Sequence, residues 1–252
     1  MKNTYNSQIR QLKKIGFTKI KCSNLDNFKK LIQKYLVKIL KKNKNNFRFK
    51  YNKNINIDSL RQKITKISDY ELNIFKQKLE SEISLKIFLE FSRNFKGILG
   101  NKFYVSKHGQ LQLHQGKNPN TATWPHCEMM SGHSPFTFNL FIPFHNIIDK
   151  SGLFIINDKL SIKLFDYEKR KKVLNRNNLI SKHKFFPKLN FGEALLFNSF
   201  ACHGADLHNS PLTRIALIMR FQNYRNPFFE KNLDHFQFIN LHEKINISNK
   251  FS

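Results

Sequence analysis

Along the first third of the chain, apolar residues recur at steps of three and four. Leu25, Phe28, Leu31, Ile32, Tyr35, Leu36, Ile39 and Leu40 fall on one stripe and predict an amphipathic helix. Ser23 with Asp26 resembles a capping box at its start, and the polar run Lys41 to Asn46 ends it. A shorter helix is predicted from Asp58 or Ser59 through Leu60, Ile64 and Ile67. Ser68 and Glu71 form a second capping box. Leu72, Phe75, Leu79, Ile83, Ile87 and Phe91 follow it, predicting a long helix that ends near Gly97. Ahead of all three, Ile15 to Ile20 reads as a short strand.

From about Phe103 the period changes to that of strands. Phe103–Val105, Leu111–His114, the apolar run Phe136–Phe144 closed by Pro143, Gly152–Ile156, Phe191–Asn198 and Arg214–Phe221 are short, turn-bounded and rich in Phe, Ile and Leu. Strands at such spacing argue for a sandwich or barrel of the jelly-roll type. The expected organisation is a helical support over 1–97, packed on one sheet, a β-core over 98–235 and a polar tail over 236–252. Residues 157–184, with Lys169-Arg170-Lys171-Lys172, read as a charged insertion carrying some helix. Phe47-Arg48-Phe49-Lys50-Tyr51 alternates rings with cations; it is read as an edge strand or loop rather than a base-stacking surface.

Composition narrows the function classes. The 252 residues include 26 Phe and are 40% apolar, enough for a globular core. No apolar run is long enough to span a membrane, and the opening Met1 to Asn6 leads into no apolar core of the signal-peptide kind. The three cysteines, Cys22, Cys127 and Cys202, have no paired spacing, which points to a reducing cytoplasm. A net charge of +27 raises the question of nucleic acid. The cations are mostly Lys, however, spread among abundant Asn, Ile and Phe as in the coding of an AT-rich genome, with no nucleic-acid-binding motif. Nucleic acid is therefore discounted as a partner; a phosphate-bearing small molecule is a milder reading of the same charge.

The candidate chemistry centres on Trp124-Pro125-His126-Cys127-Glu128. Side chains at i and i+2 of a strand point the same way, so His126 and Glu128 can converge. His203, in Phe200-Ala201-Cys202-His203-Gly204, is the best third member. Two imidazoles and one carboxylate, with coordination positions left open, suit non-haem Fe(II). Arg214 opens an apolar strand, where a buried guanidinium needs an anionic partner; a cosubstrate carboxylate would take its fixed fork. Arg220 alternates in phase with Arg214 and is read as a second anion contact or a residue of the rim. Cys127 and Cys202 flank the ligands on a strand and should point away from them as small buried hydrophobes.

His126-x-Glu128, Gly132-His133-Ser134-Pro135, the strand ending Ile142-Pro143, Gly192-Glu193, His203-Gly204 and Arg214 occur in an order that resembles the 2-oxoglutarate-dependent Fe(II) oxygenases. The spacing from His203 to Arg214 looks like the phytanoyl-CoA dioxygenase branch. Arg214 to Phe221, with Pro227 and Phe229 downstream, is similar to the oxygenases of sporadic bacterial carbohydrate-biosynthesis clusters. The resemblance covers roughly residues 100–235.

It implies a double-stranded β-helix, cupin-like, holding Fe(II) on His126, Glu128 and His203. 2-Oxoglutarate would chelate the metal through its keto and C1 carboxylate oxygens, with its C5 carboxylate on Arg214. Dioxygen would then be consumed in oxidising a small substrate, such as a sugar or nucleotide-sugar of polysaccharide biosynthesis. Glu128 stands where most of the family has Asp, and Ala205 where many have a hydroxyl residue. Further cosubstrate contacts must come from elsewhere, with Gln112, His114 and Asn139 as candidates. Trp124, His133, Ser134, Asn198 and Arg220 are candidates for the substrate side, while Asp206 and His208 read as solvated loop residues. Two other classes compete with this reading: a cupin-like metal protein without oxygenase activity, such as a sugar epimerase or isomerase, and a basic nucleic-acid-binding protein.

Overall fold

The computed structural model describes residues 2–42, 56–66, 81–148, 150–227, 229 and 235–242. Helices Lys2–Ile15 (α1), Leu25–Lys42 (α2), Ile57–Thr65 (α3) and Ser81–Leu99 (α4) precede most of the sheet, with strand Phe17–Lys21 (β1) after α1. Then follow Lys102–Ser106 (β2), Gln110–His114 (β3), Thr123–His126 (β4), Phe138–Pro143 (β5) and Phe154–Ile155 (β6). Helices Asp158–Lys169 (α5) and Val173–His183 (α6) come next. Strands Glu193–Asn198 (β7), His203–Ala205 (β8), Arg214–Asn223 (β9) and Phe236–Asn240 (β10) complete the order.

Seven strands form one antiparallel sheet in the order β1-β7-β5-β9-β2-β10, with β3 also paired to β9. The second sheet has three strands, β4-β8-β6. Two-residue alternation gives β9 two different faces. Ile215, Leu217, Met219 and Phe221 join Phe28, Ile32, Leu36, Leu60, Ile64, Phe88 and Phe91 of the helices in one core. Ala216 and Ile218, with Phe141, Leu195 and Phe197, instead meet Ile155 of the small sheet in a second core. The amino-terminal helices therefore cover the outer face of the large sheet. The inner face is closed by the small sheet, which α5 and α6 back through Phe154, Ile156, Leu164 and Ile180.

Several boundaries differ from the sequence reading. Helix α1 was not anticipated there. The cap of α2 is Asn24, whose Oδ1 accepts the Asn27 N–H at 3.0 Å, in place of the Ser23 box. Helix α3 is capped by Asn56, which accepts from the Asp58 N–H. The stretch read as Gly152–Ile156 supplies only a two-residue strand, and Phe236–Asn240 of the polar tail is an edge strand paired with β2. The box at Ser68, the apolar positions Ile67 to Leu79 and the segment Phe47–Tyr51 lie outside the described residues. Among the described residues no helix is long and apolar enough to cross a membrane.

Phe221 ties the helices to β9. It is fully buried and meets Phe88 and Phe103 edge-on, at ring-centroid distances of 5.2 and 5.6 Å. Phe221→Ala removes this contact and leaves a cavity, so unfolding stability should fall by about 3–5 kcal/mol, read as a lower urea midpoint in far-UV circular dichroism.

Candidate metal centre

His126 and His203 face each other directly across the antiparallel pair β4–β8. Strand β4 ends at His126, and Glu128 opens a 3-10 turn, Glu128–Ser131, rather than continuing the strand as expected. Cys127 between them remains extended (φ −114°, ψ 145°), so the i, i+2 convergence survives the end of the strand. Gly132 closes the turn at φ 84°, a left-handed conformation that glycine adopts without strain. Gly204, beside His203, is required by close approach: a Cβ there would stand 2.7 Å from both Phe154 and the Thr123 carbonyl oxygen.

The ligand atoms of His126, Glu128 and His203 lie within 4.8 Å of one another. His126 Nδ1 is 2.8 Å from the Trp124 carbonyl oxygen, and His203 Nδ1 is 3.0 Å from that of Ala201. Each ring thus donates from Nδ1 to a main-chain acceptor, leaving the Nε2 lone pair for a cation. Burial, followed by the neighbouring His126, pushes the His203 imidazole down to about 4, so it is neutral at physiological pH. Burial works to raise the Glu128 carboxyl, but Arg220, His203, His133 and His126 together outweigh it and leave the group below its ordinary value. A carboxylate beside two imidazoles whose Nε2 atoms are left open is the donor set that a divalent cation needs.

Glu128 is 2% exposed and already holds a cation. Arg220 Nε donates to Oε2 at 3.0 Å and Arg220 Nη2 to Oε1 at 3.2 Å. His133 Nε2 stands 3.4 Å from Oε2, and His203 Nε2 is 3.7 Å from Oε1. Arg220 is therefore neither a residue of the rim nor free for a substrate in this state. The signal for its placement was its phase with Arg214; its partner could not be read from the sequence.

Register locates the triad over the large sheet. Phe197, Asn139 and Arg220 form one cross-strand row on β7, β5 and β9. His203 packs edge-on to Phe197 at 4.7 Å, while Arg220 reaches Glu128. Asn139, fully buried between these two positions, has both amide atoms without a partner among the described residues.

Arg214 lies on the same face and is 1% exposed. Its guanidinium carbon is 5.6 Å from the centre of the Phe141 ring, and Nη2 donates to Gln112 Oε1 at 3.3 Å. Nε and Nη1 have no partner among the described residues. Burial pushes this group down to about 10, still charged at neutral pH. Buried polar groups left without partners cost roughly 1–3 kcal/mol each, so the arrangement calls for an anion.

The remaining candidates divide. Trp124 is 86% exposed, so its ring does not pack into the core. Ser134 is buried, and its hydroxyl accepts the Phe136 N–H. Asn198 is spent on the turn before His203: its Oδ1 accepts from the N–H groups of Phe200 and Ala201, and its Nδ2 donates to Asp158. Asp206 pairs with Lys184. His208 is buried rather than solvated, its ring edge-on to that of His114 at 4.6 Å. Cys127 and Cys202 are buried on the far side of the small sheet, as expected, and their mutual hydrogen bond together with burial pushes the Cys127 thiol up.

Residues that sequence reasoning missed hold the start of β9. Arg61 of α3 donates through Nε to the Thr213 carbonyl at 3.1 Å, and the Thr213 N–H donates to Thr65 Oγ1 at 2.9 Å. The Ile215 N–H donates to His145 Nε2 at 3.3 Å. Arg214 is thus braced on both sides by groups with no sequence motif of their own.

No protein family and no curated protein matches this chain. Solved structures do. EctD from S. alaskensis is 13% identical over 89% of this chain and 80% of that one, with a TM-score of 0.55. Its form with bound Fe superposes at 0.53, with 12% identity and coverages of 89% and 78%. The epimerase SnoN, in complex with Fe3+, alpha ketoglutarate and nogalamycin RO, gives 0.53 at 9% identity, covering 88% and 85%. The chain shares the fold of these proteins. At such identities the likeness concerns architecture, and the chemistry has to be argued from the side chains above.

One consequence of the bracing is a pH dependence. Burial, then Arg61, lowers His145 from 6.5 to about 4. The unfolded chain takes up this proton at about 6.5 and the folded one only near 4, so stability is full above 6.5 and falls as pH drops between the two. The loss should approach about 3 kcal/mol. His145→Gln, which keeps an acceptor for the Ile215 N–H, should flatten this part of the profile when urea midpoints at pH 7 and pH 4.5 are compared with wild type.

Proposed function

We propose that this chain is an Fe(II)- and 2-oxoglutarate-dependent oxygenase acting on a small molecule, with its two sheets forming a double-stranded β-helix. The observation that carries the reading is Arg214. A guanidinium buried on the inner face, with two donating nitrogens unpartnered among the described residues, suits a carboxylate ligand. Phe141, whose ring centre is 5.6 Å from the guanidinium carbon, lies one same-face row, about 7 Å, from the Asn139 row beneath the triad.

His126, Glu128 and His203 would hold the iron, which when bound supplies the activation of dioxygen coupled to oxidation of 2-oxoglutarate to succinate and carbon dioxide. Arg214 fixes the far carboxylate of the cosubstrate, with Gln112 holding the guanidinium and Phe141 beneath it. Asn139 offers an amide donor and acceptor between the two ends. His203, neutral and buried, keeps its lone pair available at physiological pH. Trp124 carries an exposed indole two residues from His126, a flat platform for the apolar face of a sugar ring. A sugar or nucleotide-sugar of polysaccharide biosynthesis is the substrate class we favour, within the phytanoyl-CoA dioxygenase branch. A reducing cytoplasm suits both the ferrous ion and the three free cysteines.

Purified protein given Fe(II), 2-oxoglutarate and candidate sugars should release succinate in a metal-dependent way; folded, metal-loaded protein that releases none refutes the reading. Arg214→Ala should weaken 2-oxoglutarate binding about 100-fold while changing Mn2+ affinity less than about threefold, both by calorimetry. SnoN, an alpha ketoglutarate-dependent epimerase of the same fold, gives the reaction outcome a second form. Product mass separates them: hydroxylation adds one oxygen atom, and epimerisation leaves the mass unchanged.

A further inference from the structure

Glu128 is the one acidic residue that is buried among the described residues, and its two oxygens are not equivalent. Oε1 faces His203 Nε2 at 3.7 Å, whereas Oε2 faces His133 Nε2 at 3.4 Å. Arg220 Nη2 spans both, 2.9 Å from Oε2 and 3.2 Å from Oε1, and Nε adds a bond to Oε2 at 3.0 Å. The guanidinium supplies the positive charge that a buried carboxylate requires. Octahedral donors around a divalent ion stand about 3 Å apart at bond lengths of about 2.1 Å. A metal bound by the two imidazoles would therefore need Oε1, the oxygen that Arg220 shares, and would sit beside a fixed positive charge.

We propose that Arg220 is a built-in competitor of the metal: it neutralises Glu128 in the empty site and must give up Oε1 before the triad can close on a cation. The inference rests on the reading of the triad as a metal site. Arg220 is a positioning residue here, acting through Glu128. Its anchorage is firm, because β9 is paired with β5 at this point and the Arg220 N–H donates to Ser106 Oγ. Its side chain is 24% exposed, so the displaced head has an open side to turn toward. The arrangement also suits a glutamate ligand, whose extra methylene leaves the carboxylate a longer reach than aspartate has and more need of a clamp when no metal is present.

The test is Mn2+ binding by calorimetry at fixed ionic strength, with unfolding midpoints taken without metal and at saturation. Arg220→Gln should bind Mn2+ at least tenfold more tightly than wild type. Its midpoint should be lower without metal, and saturating Mn2+ should close the gap. Arg220→Lys, which keeps the charge but loses the fork, should fall between the two in affinity and serves if the glutamine variant does not fold. Arg214→Ala removes one positive charge on the same sheet face without touching Glu128, and should leave Mn2+ affinity within about threefold of wild type. Equal or weaker Mn2+ binding by Arg220→Gln overturns the inference and makes Arg220 an aid to the ligand, while the metal site itself stands. Absence of Mn2+ binding in wild type and every variant overturns the metal site and this inference together.

Discussion

Charge buried on a central strand has to be matched, and that constraint organises this molecule. Strand β9 is paired on both sides, so its backbone is held and its side chains alternate strictly between two faces. From Ile215 to Phe221 the outer face is apolar and is gripped by the helices. The inner face carries Arg214 and Arg220 with Ala216 and Ile218 between them, and then Gln222. The Arg214 guanidinium cannot leave without shifting the core around it, whereas the Arg220 head has an open side. One has found a carboxylate in Glu128, and the other has one amide oxygen and two nitrogens unpartnered among the described residues. Among the described residues the two differ in this: Arg220 is matched by a carboxylate, and Arg214 keeps donors to spare.

Much of this was legible in the sequence. The helical stripes of α2 and α3, the switch to strand period near Phe103, and the strong strands β5, β7 and β9 follow from spacing alone. So does the convergence of His126 and Glu128, although the reason is an extended Cys127 ahead of a turn rather than an unbroken strand. His203 was found because it follows a Gly-Glu-x-Leu-x-Phe strand. Its place directly across from His126 is a property of pairing, which periodicity does not contain.

What was not legible depends on contacts between distant segments. The grip of Arg220 on Glu128 joins residues 92 apart, and that of Arg61 on Thr213 joins residues 152 apart. Asn198 was a candidate for the substrate side. Its amide is instead consumed by the main chain of the next turn, a local bond that only the backbone path shows. His208 was misjudged for the opposite reason: a polar residue in a loop was expected in water, and the loop folds it onto His114.

The link between α3 and Thr213 gives the amino-terminal region more than a covering role. Two of its side chains bond to the residue that precedes Arg214. On the proposed reading, docking of that helix and occupancy of the guanidinium would be thermodynamically coupled, and coupling of this kind is reciprocal. An anion seated on Arg214 would tighten the helix on the sheet, and a helix that frays would loosen the anion by the same free energy. On the proposed reading the β-core would not be a self-sufficient receptor, because α3 holds the strand end that carries the guanidinium.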